Sequence, residues 1–231
     1  MVQRGMVQGE TSDISAAMMT IKRFMCNPLQ ENTYIVSDDT KECVIIDCGA
    51  YYDNEKQALK DYISQEGLKP VHLIATHGHL DHNFGDADML RTYGLKVEIC
   101  EEDVELVTHL SFHASTIFGM QINDPEPEVG RTLKDGDIIT FGDHKLKVVQ
   151  TPGHSHGSAL LYCEDEHMVF TGDTLFRMSI GRTDFEEGSW EEMEHSLNDV
   201  IAKLPKETTV LPGHGPQSTI ADELQFNPYL R

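Results

Sequence analysis

Five histidines and two aspartates stand at the ends of apolar runs in four separate stretches. These are His77-Gly78-His79-Leu80-Asp81-His82, Pro152-Gly153-His154, Gly172-Asp173-Thr174 and Pro212-Gly213-His214. Imidazole and carboxylate without thiolate suit Zn²⁺, Fe²⁺ or Mn²⁺. Seven donors suit two cations that share a bridge, which in such sites lie about 3.5–4 Å apart. Cations so held bring the pKa of bound water down to about 7, so the chemistry expected is metal-dependent hydrolysis.

Donors so far apart in sequence must be brought together by rigid elements. Each cluster follows an apolar stretch that reads as a strand, and the loop at a strand's end is free to shape itself around a ligand. Ile21–Phe24 and Thr33–Val36 read as two strands around a polar turn. Glu42–Asp47 is a strand ending in Asp-Cys-Gly, and Val71–Thr76 runs directly into the first histidine cluster. Lys96–Cys100, Asp137–Phe141, Lys145–Gln150, Ala159–Cys163, Met168–Thr171 and Thr208–Leu211 complete the set. The runs VIIDCG and VFTGDT echo each other, each delivering an aspartate beside glycine.

Helical periodicity covers about Asn54 to Gln65, with Gly67 as its stop, and Phe84, Ala87, Leu90 and Tyr93 give a second stripe closed by Gly94. Glu101–Leu110 reads as a short acidic helix. Ser189 with Glu192 forms a capping box for a helix that buries Trp190, Met193, Leu197, Val200, Ile201 and Leu204. Ser111–Gly130 is irregular and is expected to be a functional or mobile loop. Two groups of strands with helices between and after them suggest two sheets face to face with helices outside.

The chain has 231 residues, enough for one large α/β domain over residues 19–231. Residues 1–18 read as a disordered leader or a cloning remnant, without a signal-peptide core. A formal charge of −21 and the lack of a Lys/Arg cluster argue against nucleic acid and membrane as partners. Five cysteines, with no C-x-x-C pair, point to reduced thiols in a cytoplasmic protein. His72, His109, His144, His167 and His195 carry no ligand pattern. His156 reads as exposed or as a neighbour of the site, and His113 as a candidate lining a substrate pocket.

The H-x-H-x-D-H run and the later His, Asp and His resemble the metallo-β-lactamase superfamily over essentially Met19 to Arg231. That resemblance implies a four-layer αββα sandwich, two mixed β-sheets flanked by helices. It implies a first metal on His77, His79 and His154, a second on Asp81, His82 and His214, and Asp173 as the bridge. Asp47 would orient a ligand, and Asp81 would assist a metal-bridging hydroxide. The cofactor implied is two divalent ions, zinc first, with iron or manganese as alternatives.

The stretches Asn27-Pro28-Leu29-Gln30-Glu31-Asn32-Thr33-Tyr34, Gly172-Asp173-Thr174-Leu175-Phe176 and Gly181-Arg182-Thr183-Asp184-Phe185 resemble glyoxalase II and its single-domain relatives. A thioester such as S-D-lactoylglutathione, or a related acyl-thiol, is the substrate so implied, for a monomer or homodimer. Two-domain glyoxalase II continues into a helical domain where this chain ends soon after His214. Arg182 stands near that enzyme's glutathione-binding lysine, or else pairs with Asp184, and Phe118 joins His113 as a candidate substrate contact. Two other readings share these residues. One is a persulfide dioxygenase with a single iron on His77, His154 and Asp173, and the other is a non-enzymatic zinc-binding module.

Overall fold

The computed structural model describes residues 19–117 and 119–230, so the expected leader and Phe118 lie outside the described residues. Six strands form the first sheet in chain order: β1 (Thr20–Cys26), β2 (Glu31–Ser37), β3 (Glu42–Ile46), β4 (Lys69–Ile74), β5 (Val97–Cys100) and β6 (Val129–Leu133). β1 to β3 pair antiparallel, and β3 to β6 pair parallel. The second sheet has β7 (Ile138–Phe141), β8 (His144–Gln150), β9 (Ala159–Cys163), β10 (Met168–Gly172), β13 (Thr209–Pro212) and β14 (Ser218–Thr219). A short ribbon, β11 (Leu175–Phe176) and β12 (Ser179–Ile180), is inserted between β10 and β13.

The central strands β3, β9 and β10 are buried on both faces, whereas β7 and β8 expose alternate residues, and period-two alternation assigns each face to a different layer. Tyr34, Val36, Val44 and Ile46 of the first sheet pack against Leu146, Val148, Leu161 and Phe170 of the second. The intervening residues Ile35, Ile45 and Leu73 face outward onto Leu59 and Ile63 of α1 (Asp53–Gln65) and Met89 of α2 (Asp86–Tyr93). Leu160, Val169 and Val210 of the second sheet face Met193 of α5 (Trp190–His195) and Ile220, which opens α6 (Ile220–Phe226). The result is the four-layer αββα sandwich expected.

α1 and α2 end as the sequence indicates, α2 on Gly94 in the left-handed region at φ 72°. Ser189 caps α5 by accepting the Glu192 N–H at 3.3 Å. Three expectations need correction. Trp190 lies on the outer side of α5, 48% exposed, edge-on to Tyr229. Ser111–Gly130 is not wholly irregular: α4 (Leu110–Ile117) occupies its start and β6 begins at Val129. The acidic helix after β5 is broken into a tight turn, Glu101–Asp103, and α3 (Val104–Thr108), because Asp103 turns inward.

His144 ties the two sheets at one edge. Its Nδ1 lies 3.1 Å from Asp38, on the β2–β3 turn, and its Nε2 3.2 Å from Glu166. Burial opposes the charged ring, but the two carboxylates outweigh it and raise the His144 pKa. The contribution to stability is therefore complete below the unfolded value of about 6.5 and is lost as pH rises through the folded pKa. H144Q is expected to lower the unfolding midpoint by several degrees at pH 6, roughly 2–4 °C per kcal/mol lost. Calorimetry at pH 6 and pH 9 checks this: the deficit narrows at pH 9, and an equal deficit at both would rule out the charge.

Candidate metal centre

The four predicted clusters meet at one end of the sandwich, on loops that leave the C-terminal ends of β4, β8, β10 and β13. Parallel pairing of β3 with β4, and of β10 with β13, sends their ends the same way. Asp47 and Asp173 follow β3 and β10. Each of these strands has one antiparallel and one parallel neighbour, so the echo between VIIDCG and VFTGDT is a structural equivalence.

Two groups of donors result. One nitrogen each of His77, His79 and His154 converge within 4.8 Å, and so do donor atoms of Asp81, His82 and His214. Asp173 lies between them. Its Oδ1 is 3.3 Å from His82 Nε2, and its Oδ2 is 3.4 Å from His154 Nε2 and 3.6 Å from His214 Nε2. Asp81 Oδ2 is 3.2 Å from His214 Nε2 and 3.8 Å from His82 Nε2.

Four of the five rings have a hydrogen-bond partner on the outer nitrogen. His154 Nδ1–H donates to the Arg182 carbonyl at 2.7 Å, and His214 Nδ1–H to the Leu29 carbonyl at 3.1 Å. Thr76 Oγ1 donates to Asp47 at 2.9 Å and is left to accept from His77 Nδ1 at 3.1 Å. Asp47 Oδ2 also lies 3.2 Å from His82 Nδ1, so this carboxylate sets two ligand rings. His79 Nε2–H donates to Glu187 at 2.9 Å. Outer partners of this kind fix the tautomer and aim the remaining lone pair.

Those lone pairs have no partner in the protein that could use them. His77 Nε2, both His82 nitrogens and Asp173 Oδ1 are buried without a hydrogen bond. His79 Nδ1 and His154 Nε2 face each other at 2.8 Å although both outer nitrogens are already donating. Two lone pairs held this close repel unless a cation lies between them. The donor set thus fits divalent metal ions, and the residues fit two of them.

The electrostatics of the first donor group agree. Burial, helped by the neighbouring imidazoles, keeps His77 well below its usual pKa, and burial also lowers His154. Both are therefore neutral, as metal ligands must be. Burial opposes charge on His82, but Asp173, Asp81 and Asp47 outweigh it and raise its pKa. Burial likewise opposes ionisation of Asp173, and the surrounding imidazoles overcome it, with His82 foremost.

Close packing explains two of the glycines. Gly172 has φ 46°, and a Cβ there would press on Thr76; a Cβ on Gly213 would strike Asp173 and His82. The Asn27–Tyr34 stretch is a brace. Asn27 Nδ2 donates to the carbonyls of Gly49 and Asp81, at 2.9 and 2.8 Å. Asn32 Nδ2 donates to Pro212 and Gly215, and Tyr34 Oη to Pro212. These bonds hold the Asp81 and His214 loops from β2.

Two residues escaped the sequence reading. Asp103, fully buried, accepts the N–H groups of Gly78 and Gly157 and the Ser155 hydroxyl at 2.6–2.8 Å. It ties the His77–His82 loop to the His154 loop. Its one sequence signal was its place just beyond the end of β5, obscured by Glu101 and Glu102. Glu187 had no spacing signal; the hydrogen bond from His79 holds its carboxyl down at about 2.

The donor cluster opens into a cavity of about 690 Å³ lined by His113 and Arg182 among others. Arg182 pairs with Asp184 through two 2.7 Å hydrogen bonds. His156 is exposed and turns to Glu192, and His72, His109, His144 and His195 have carboxylate or backbone partners elsewhere. All five cysteines are buried and unpaired, and burial pushes the Cys26, Cys43 and Cys100 thiols up to about 12. No helix among the described residues is long and apolar enough to cross a membrane.

Residues 26–214 match the model of the metallo-beta-lactamase superfamily. The chain is 33% identical to the probable metallo-hydrolase YqgX of Bacillus subtilis, over 92% of this chain and 98% of that protein. It is 28% identical to the hydroxyacylglutathione hydrolase GloC of Haemophilus influenzae, again over 92% and 98%. Among solved structures, BLEG-1, a B3 metallo-beta-lactamase, superposes with a TM-score of 0.83 at 33% identity, covering 91% of this chain and 99% of that one. TTHA1623 in a di-iron-bound form gives 0.80 at 34%, covering 90% and 100%.

Proposed function

Because the chain belongs to the metallo-beta-lactamase superfamily, we propose that it is a dinuclear metallo-hydrolase acting on a small acyl-thiol ester. The observation that carries this is Asp173, whose two oxygens face His82 on one side and His154 and His214 on the other. A carboxylate so placed serves two cations at once. His77, His79 and His154 would hold one ion, Asp81, His82 and His214 the other. Zinc is the first choice and iron or manganese the alternatives, iron having the support of the di-iron form of TTHA1623. Ions bound there would supply a water ionised at neutral pH and Lewis acidity toward a carbonyl oxygen.

The protein's own groups do the rest. An ester carbonyl entering the cavity would meet Asp81 and Asp173, both of which line it. Asp81 is the carboxylate positioned to hold a proton from the attacking water, with Asn27 fixing its backbone and His214 its side chain. Leu29, Leu80, Phe176 and Phe185 exclude bulk water from the reacting atoms. A thiolate, whose conjugate acid has a pKa near about 8.5, leaves without being protonated, whereas an amine needs a proton donor. Among the described residues no Lys or Tyr lines the cavity to act as that donor, and the resemblance to GloC supports a thioester.

Metal analysis beside a substrate panel tests the reading. About two ions per chain, and thioester hydrolysis lost on chelation and restored by Zn²⁺ or Fe²⁺, are expected. One iron per chain with rapid O₂ uptake on glutathione persulfide would replace it by the dioxygenase reading. Turnover confined to a β-lactam would place the chain functionally with BLEG-1 instead, and no turnover with any substrate would favour a binding module.

A further inference from the structure

The walls of the cavity beyond the donor cluster carry a charge pattern that bears on the substrate. Leu29, Leu106, Phe112, Phe176 and Phe185 make them largely apolar. Glu186 and Glu187 add negative charge, and among the described residues no lysine lines the cavity. Arg182 is the guanidinium present, and it is already engaged. It makes two parallel 2.7 Å bonds to Asp184 and lies over the Phe185 ring at 4.2 Å. Its backbone carbonyl meanwhile accepts from His154.

We infer that the cavity selects thioesters whose thiol half is uncharged, and disfavours anionic carriers such as glutathione or a phosphorylated thiol. This deepens the thioesterase reading and rests on it for the reaction, while the charge argument rests on the walls alone. Asp184 takes Nε and Nη2 of the guanidinium and leaves Nη1 free. The ion pair is nevertheless net neutral, so a substrate carboxylate approaching Nη1 meets Asp184 beside it and gains little net attraction. Asp184 thereby adds to the repulsion from Glu186 and Glu187. Each surface pair is weak alone, so the discrimination comes from the absence of gain on Arg182 together with repulsion by the remaining acids. The chain's formal charge of −21 acts in the same direction at long range. An uncharged chain of pantetheine type meets neither obstacle and buries its methylenes against the leucines and phenylalanines.

The test is a binding comparison that does not need turnover. Calorimetry on the metal-loaded protein would measure S-hexylglutathione against S-hexyl-N-acetylcysteamine, the same alkyl group on an anionic and a neutral carrier. The neutral thioether is expected to bind about tenfold more tightly at low ionic strength. D184N, which frees Arg182, is expected to move the affinity ratio about fivefold toward the glutathione ligand. Equal or tighter binding of S-hexylglutathione to the unaltered protein, weakened by R182A, would overturn the inference, as would failure of both ligands to bind. The matched lactoyl thioesters serve as the activity arm. If neither is hydrolysed while the neutral thioether still binds tighter, the thioesterase reading fails and the cavity's selectivity stands.

Discussion

Replacing Asp173 with alanine is expected to cost on the order of a thousandfold or more in kcat, about 4 kcal/mol of transition-state stabilisation. Bound metal should fall from about two ions per chain to one or fewer. The reason is position. The carboxylate lies within 3.3–3.6 Å of three imidazole nitrogens drawn from both donor groups. Its removal would take a ligand from each proposed ion at once. D173N keeps the shape and loses the charge, so its deficit should remain large. Atomic absorption on the purified variants, with steady-state hydrolysis, reads both effects. Two tightly held ions and near-normal kcat in D173A would remove the bridging role.

The second large effect is on the fold around the site. D103A should destabilise the protein by about 3–5 kcal/mol, since each of the buried donors left without its acceptor costs about 1–3 kcal/mol. Two loop N–H groups, of Gly78 and Gly157, and the Ser155 hydroxyl would lose their acceptor in a region from which water is excluded. These donors sit on the loops that carry His77, His79 and His154, so metal affinity should fall with stability. Denaturant unfolding of the metal-free protein isolates the first effect, and competitive chelator titration the second. D103N retains one acceptor oxygen and should lie between. Unfolding midpoints within experimental error of the parent would show that the loops are held by other means.

The sandwich was readable because its central strands are apolar on both faces and short. Such strands need cover on each side, and the order of strands and helices leaves few ways to supply it. The Ser111–Gly130 segment misled because Phe112, His113 and the prolines gave no periodic stripe. Helix α4 nonetheless forms by packing Leu110 and Ala114 inward, a tertiary decision. Trp190 misled for the opposite reason. It fits the helical stripe, but the first turn of α5 projects beyond the sheet, and the ring finds Tyr229 instead.

The candidate site divides in the same way. The donor residues, their glycines and the choice of hydrolytic chemistry could be read from the sequence. Ligand type sets metal preference, and strand–turn–ligand repeats are local patterns. What the donors do to one another depended on the tertiary structure. Only there do Asp173 lie between two groups of histidines, Asp103 join two loops 25 and 54 residues away in sequence, and Glu187 meet His79. The same holds for Arg182, whose availability to substrate is decided by Asp184 and Phe185. The residue types in the chain set which chemistry is possible. Parallel strands from distant segments, ending on one side of the sandwich, decided which groups share a site, because distances between side chains are set by packing rather than by separation along the chain.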